Sequence, residues 1–159
     1  LRRGKSIALR AISKRNMTEK ETFDKLKTWE IPDRIAAEIL GWLKETGILG
    51  DGTYAENYIS YRGRNKSRRD LLYTLKAKGI ADTEVVSAME NNCFDEYDAA
   101  LTIAEKRLRS IHGDEQSLKD FEKKEIDKII GYLFRKGFSL DNCKKALNEA
   151  FLRIMDEQD

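Results

Sequence analysis

The sequence predicts an all-α chain of three tandem three-helix repeats, stacked into an elongated, curved, solenoid-like body. Three observations predict it. A set of apolar positions recurs three times at constant spacing, and helix-capping residues recur beside it. A single Pro among 159 residues, with only 10 Gly, disfavours the turn-rich sandwiches and barrels.

Each repeat opens on a helix. The runs 8–15, 55–62 and 100–107 begin with Ala8, Ala55 and Ala100, place apolar residues three and four later, and end on Arg15, Arg62 and Arg107. At helical spacing those apolar positions share one face, and the Arg lies a further turn along. Six more columns hold downstream at constant offset: Phe23, Leu72, Ile130; Leu26, Leu75, Leu133; Ile31, Ile80, Phe138; Ala36, Val85, Cys143; Ile39, Ala88, Ala146; and Leu40, Met89, Leu147. The Leu column marks the end of a second helix, and a third starts just after the Ile/Phe column. Lys20 falls on a polar face between these columns.

The punctuation agrees with that division. Thr18-x-x-Glu21 is a capping box, and Ser67-x-x-Asp70 and Ser117-x-x-Asp120 are weaker relatives of it. Gly79 and Gly137 stand where a helix end takes a left-handed residue, and Pro32 suits the first turn of the next helix. The repeats are therefore 1–50, 51–93 and 94–159, the second starting at Asp51-Gly52-Thr53 and the third at Asp95-Glu96. In the third, an insert containing Ile111-His112-Gly113-Asp114 extends the first helix and then loops. One such unit of about 45 residues buries too little apolar surface to be secure alone, which is why the units are expected to stack.

Composition limits the chemistry. No apolar run approaches the roughly 18–20 residues that cross a bilayer, so no membrane partner is expected. The opening LRRGKS lacks an initiator Met and an apolar signal core, and reads as the cut edge of a longer chain. Cys93 and Cys143 fall inside helical apolar patterns without CxxC spacing, so both are expected to be buried, reduced thiols of a cytoplasmic protein. His112 has no second His or Cys pair near it, so no metal site is expected. No phosphate loop, nucleophile elbow or zinc-protease motif occurs, and no cofactor or catalytic residue is assigned. The acid pairs Asp95-Glu96 and Asp156-Glu157 read as a helix start and a frayed acidic tail.

The net charge is only +2, but it is unevenly spread. Residues 1–15 hold six bases and no acid; residues 62–78 hold seven bases (Arg62, Arg64, Lys66, Arg68, Arg69, Lys76, Lys78) against Asp70 alone. Arg68 and Arg69 sit at a helix N-terminus, where the dipole disfavours positive charge. A site for acidic side chains or phosphates explains that placement, and a merely solvated basic loop is the competing reading. Tyr54, Tyr58 and Tyr61 are candidates for stacking, although the first two share a face with Ala55 and Ile59 and read better as core. The Arg15, Arg62, Arg107 column either pairs with acids of neighbouring helices or lines one side of the body as a recurring contact.

The run Gly47-Ile48-Leu49-Gly50-Asp51-Gly52-Thr53-Tyr54-Ala55-Glu56-Asn57-Tyr58-Ile59, followed by Arg62, Gly63 and Leu75-Lys76-Ala77-Lys78-Gly79-Ile80, closely resembles the RecX family of bacterial regulators. Arg135-Lys136-Gly137-Phe138 resembles the matching feature of the third repeat, and the likeness extends from Ala8 to Phe151. The first repeat departs most, with Trp29-Glu30 where the others carry Lys-Gly. The resemblance implies tandem three-helix repeats and a non-enzymatic regulator that binds the RecA recombinase and the RecA–DNA filament. It also implies inhibition of ATP hydrolysis, strand exchange and LexA cleavage.

The RecA- and DNA-binding residues are assigned to Arg62, Arg64, Lys66, Arg68, Arg69, Lys76 and Lys78, with Arg2, Arg3, Lys5, Arg15, Arg107, Arg135 and Lys136 as a secondary set. The protein is expected to be a monomer. Two other readings stand beside this one. The first is a nonspecific binder of single- or double-stranded DNA that uses helix-turn-helix-like units, though acids lead two of the third helices (Asp33-Arg34 and Thr83-Glu84, against Asn142-Lys144). The second is a generic helical scaffold for other proteins.

Overall fold

The computed structural model describes residues 1–111 and 123–157. Among them are nine α-helices, a short 3-10 turn at Gly63–Asn65 and no strand. The helices are α1 (Arg2–Lys14), α2 (Glu19–Thr28), α3 (Asp33–Glu45), α4 (Asp51–Arg62), α5 (Arg68–Ala77), α6 (Asp82–Asn91), α7 (Glu96–Ile111), α8 (Lys123–Arg135) and α9 (Leu140–Asp156). This is the expected all-α repeat architecture. α7 continues a turn past Arg107, whereas the loop at His112 and the Ser117-x-x-Asp120 cap lie outside the described residues.

The constant five-residue step between the Leu and Ile/Phe columns has a local cause. The Ile31, Ile80 and Phe138 amides donate to the Leu26, Leu75 and Leu133 carbonyls at 3.2, 3.1 and 3.3 Å. Each bond closes the end of a second helix around a left-handed residue: Glu30 (φ 57°), Gly79 (φ 89°) and Gly137 (φ 101°). The Thr18–Glu21 capping box forms in both directions. The Ser67 hydroxyl accepts the Asp70 amide at 3.1 Å.

Burial follows the columns. Leu26, Leu75 and Leu133 are fully buried, as are Ala36, Val85 and Cys143, while Phe23, Leu72 and Ile130 are uniformly half-buried. Ala8, Ala55 and Ala100 are buried in the first helices, where a small residue lets neighbouring helices approach closely.

Three expectations need correction. Pro32 is the N-cap of α3, one residue ahead of its first turn, and its carbonyl still accepts the Ala36 amide. Cys93 is exposed in the turn after α6, with φ 49°, so only Cys143 is a buried thiol. The acidic tail is not simply frayed, because Glu157 accepts from the Arg109 guanidinium at 2.7 Å. Lys20 is exposed, as its place on a polar face predicts, and its stem lies over Gly79, where a Cβ would come within 2.6 Å of it.

The chain divides into two compact units, Leu1–Ile59 with Leu72–Asn92 and Ser60–Leu71 with Cys93–Asp159. Inside the first, Ala8, Leu26, Ala36, Ile39, Leu43 and Leu49 form a core around which Phe23, Ile31 and Leu40 pack. The Thr18 hydroxyl donates to the Lys78 carbonyl, and Asp51 accepts the Glu19 amide at 2.8 Å. Inside the second unit the core gathers α7, α8 and α9 about Leu108, Leu133, Phe138 and Cys143. There the pattern repeats: the Ser67 hydroxyl donates to the Lys136 carbonyl at 2.7 Å, and Glu96 accepts the Arg68 amide at 3.0 Å.

Candidate macromolecule-binding surface

The part of the basic stretch from Arg62 to Arg69 lies in the second unit. α4 ends at Arg62, the 3-10 turn carries the chain over a buried Gly63, and Lys66 turns extended before Ser67 caps α5. The unfavourable charge of Arg68 and Arg69 at that helix start is offset locally, since the Glu96 carboxylate sits on the Arg68 amide.

The structure sorts the assigned cations by what holds them. Lys66 pairs with Asp70 at 2.8 Å, and Arg69 packs its stem over Gly137 and donates to the Arg135 carbonyl at 3.5 Å. Arg62, Arg64 and Arg68 are exposed, and their side chains reach no carboxylate within 4 Å among the described residues. They are the free charges of the turn. Lys76 and Lys78 belong to the first unit, where they pair with Asp82 at 3.6 Å and Glu21 at 2.9 Å.

The secondary set is equally mixed. Arg107 lies over the Tyr132 ring, 3.8 Å from its centre, and Lys136 stands 5.3 Å from the same ring. Burial pushes the Tyr132 phenol up, but the Lys136 ammonium and the Arg107 guanidinium outweigh it and hold the phenol below the ordinary tyrosine range. These groups line an open recess of about 450 Å³ together with Asn65, Lys106 and Ser110. The recess joins the 3-10 turn to α7 and α8. Arg135 is exposed beside it in sequence.

In the first unit, Lys5 covers the Trp42 ring at 4.0 Å. Arg2 and Arg3 are exposed, and Arg15 is the extended C-cap of α1, its charge helping to lower the Glu21 carboxyl. Of the tyrosines, Tyr54 and Tyr58 are half-buried, whereas Tyr61 is 83% exposed.

Sequence reasoning did not find Asn65, Lys106 or Tyr132. Tyr132 lies one residue before the Leu column, and that offset was the available signal. It puts the ring beside the first helix of the same repeat, where the shared Arg107 ends its pattern. The Arg column thus does not act as one kind of contact: Arg107 stacks, Arg62 is free, and Arg15 ends a helix.

An anion meeting this surface would find an exposed cationic turn, a preorganised Arg on an aromatic ring and hydroxyl and amide donors. Among the described residues no group of His, Cys, Asp and Glu is arranged to hold a metal ion. No helix among them is long and apolar enough to cross a membrane.

Comparison with known proteins agrees with the repeat architecture. The family model of the first three-helix domain of RecX matches residues 5–43, and that of the third matches residues 95–147. The regulatory protein RecX of Clostridium beijerinckii is 30% identical, the match covering 98% of this chain and 71% of that protein. The regulatory protein RecX of Clostridium perfringens strain 13 is 32% identical over 87% of this chain, which spans only 64% of that relative's length. The crystal structure of RecX from Lactobacillus salivarius superposes with a TM-score of 0.78 at 26% identity, covering 94% of this chain and 96% of that one. A second RecX crystal structure, at 22% identity and a TM-score of 0.74, shares the fold. The recurring three-helix pattern, its left-handed closures and these matches lead to one conclusion: the chain belongs to the RecX family.

Proposed function

We propose that the protein is a non-enzymatic cytoplasmic regulator that binds the RecA recombinase and the RecA–DNA filament as a monomer. In doing so it restrains ATP hydrolysis, strand exchange and LexA cleavage. The observation that carries this reading is the group of unpaired cations Arg62, Arg64 and Arg68 beside the Arg107–Tyr132–Lys136 recess, within one compact unit. A filament is a polyanion of DNA phosphates and acidic protein groups, and free cations on a helical surface steer and hold such a partner. Cations already paired, such as Lys66, Lys76 and Lys78, contribute less, because their release has to break an existing contact. The repeats 1–50, 51–93 and 94–159 supply the frame in this reading.

The test is RecA ATPase on single-stranded DNA with the protein added well below one copy per RecA. Inhibition at that ratio supports action on the filament. A requirement for equimolar protein supports competition for DNA instead. Direct DNA binding is the second reading, and nonspecific contact fits it better than operator recognition. α3 and α6 start with Asp33 and with Asp82 and Glu84, acids that repel a phosphate backbone at the end a recognition helix presents.

A further inference from the structure

Arg3, Ile7, Arg10 and Lys14 follow one another at spacings of four, three and four, which puts them on one face of α1; Lys25 and Trp29 stand four apart at the end of α2. The two faces meet in a groove of about 420 Å³ that lies wholly within the first compact unit. Ile7 and Trp29 are its large apolar lining residues, and the four cations Arg3, Arg10, Lys14 and Lys25 line it with them. Among the described residues no acid lines it, and the first acid in the chain is Glu19.

None of these four cations pairs with a carboxylate among the described residues, although neighbouring Lys27 and Lys44 do, with Asp33 and Glu19. Four unpaired like charges around an apolar groove repel one another and do nothing for the core. Trp29 is 49% exposed, whereas Trp42 lies under the Lys5 ammonium. The fold does not require an aromatic there, because the matching positions in the other repeats are Lys78 and Lys136.

We propose that this groove is a subsite for single-stranded nucleic acid, with one base stacked on Trp29 and the flanking phosphates held by Arg3, Arg10, Lys14 and Lys25. The stripe from Arg3 to Lys14 runs about 16 Å along α1, a length of a few nucleotides. Stacking needs an unpaired base with its face free, which a duplex does not offer. The carboxylates of an acidic peptide would match the charge but gain nothing from the half-exposed Trp29 ring. The subsite deepens the proposed function, on which its role in the cell rests, by giving the regulator its own hold on an unpaired strand.

The experiment uses the whole chain without RecA. Short oligothymidylate is titrated while tryptophan fluorescence and anisotropy of a labelled strand are followed, against a duplex of equal length and a polyglutamate peptide. The expected result is fluorescence quenching by the strand and tighter binding of strand than of duplex. Trp29→Ala should lose about tenfold in strand affinity and Trp29→Phe should retain most of it. Arg10→Glu/Lys14→Glu should lower the salt slope by about 0.7 per phosphate contact removed. Circular dichroism and melting check that each variant is folded. Parental strand affinity in folded Trp29→Ala overturns the proposal, as does polyglutamate binding that depends on Trp29 as strongly. Because RecA is absent, that failure is separate from failure of the regulator reading, which the ATPase assay decides.

Discussion

The Thr18 hydroxyl donates to the Lys78 carbonyl at 2.9 Å while accepting the Glu21 amide at 3.1 Å, so one fully buried side chain fixes the start of α2 and the end of α5 together. Ser67 does the same between α5 and α8, through the Lys136 carbonyl at 2.7 Å and the Asp70 amide at 3.1 Å. Thr18→Ala therefore removes a helix cap and a bond between repeats at once. It should destabilise by about 2–3 kcal/mol in urea unfolding, more than a cap alone. Thr18→Ser should keep most of that. A loss under 1 kcal/mol would show that the carbonyl finds another donor.

The same clasp explains the glycines. At Gly79 a Cβ would meet the Lys20 stem at 2.6 Å, and at Gly137 it would meet the Ser67 hydroxyl at 2.6 Å, both at positive φ. Gly79→Ala and Gly137→Ala should each lower stability by more than the roughly 1–2 kcal/mol of the backbone strain itself. Glu30 occupies the matching turn at φ 57°. Glu30→Gly should stabilise the protein by about 1 kcal/mol, measured as a rise in the urea midpoint at constant slope.

Helices, their ends and the buried columns were legible in the sequence because each rests on local chemistry repeated three times. Leu26, Leu75 and Leu133 announce themselves by spacing, and Thr18 by its Glu three residues on. The clasp was not legible, since it joins Thr18 to Lys78 across 60 residues through a backbone carbonyl that has no side-chain signature. Cys93 misled for a related reason: it continues the apolar pattern of α6 but stands just beyond the helix, at positive φ. The basic turn was visible as charge. Which cations are free was not, because Lys66, Arg68 and Arg69 differ only in the partners that folding supplies.

The columns themselves make a quantitative prediction. Leu75 and Leu133 are both fully buried, so truncation to Ala should cost roughly 2–4 kcal/mol at either position. Lys20→Ala keeps the Cβ that rests on Gly79 and should cost little. Similar small losses from all three changes would break the alignment of repeats.

Acid sensitivity should trace to Glu21. Burial pushes its carboxyl up, but the Lys78 ammonium and the Thr18 amide outweigh it and hold it below its ordinary value of 4.5. A depressed folded value means the charged form stabilises the fold fully above about pH 4.5, and that this contribution disappears as pH falls through the folded value. Glu21→Gln should be less stable at neutral pH and lose less on acidification. Asp51 behaves oppositely: burial and the neighbouring Glu19 raise its carboxyl, even though it accepts the Glu19 amide. A raised folded value means that protonation of Asp51 offsets part of the acid loss, so Asp51→Asn, which can still accept that bond, should lose stability at least as steeply as the parent on acidification. Urea midpoints of the three proteins between pH 3 and pH 7 distinguish the two carboxyls.

The free cations of the basic turn give the most exposed prediction. Lys66 and Arg69 are poor choices for charge reversal, since Lys66→Glu would face Asp70 and Arg69→Glu would disturb the packing over Gly137. Arg64 and Arg68 are exposed and pair with no carboxylate among the described residues, so Arg64→Glu/Arg68→Glu should change stability by no more than about 0.5 kcal/mol per site. At position 68 a new carboxylate is favoured by the start of α5 but stands near Glu96, and the two effects oppose each other. Binding to the RecA–DNA filament should fall steeply, with a weaker dependence on salt than the parent shows. Parallel titrations on free DNA separate the partners: loss on both points to phosphates, and loss on the filament alone points to RecA carboxylates. A folded double variant that still inhibits RecA at the parental concentration would remove this turn from the site. Arg107 and Lys136, fixed against Tyr132 in the adjoining recess, would then be the cations to reverse next.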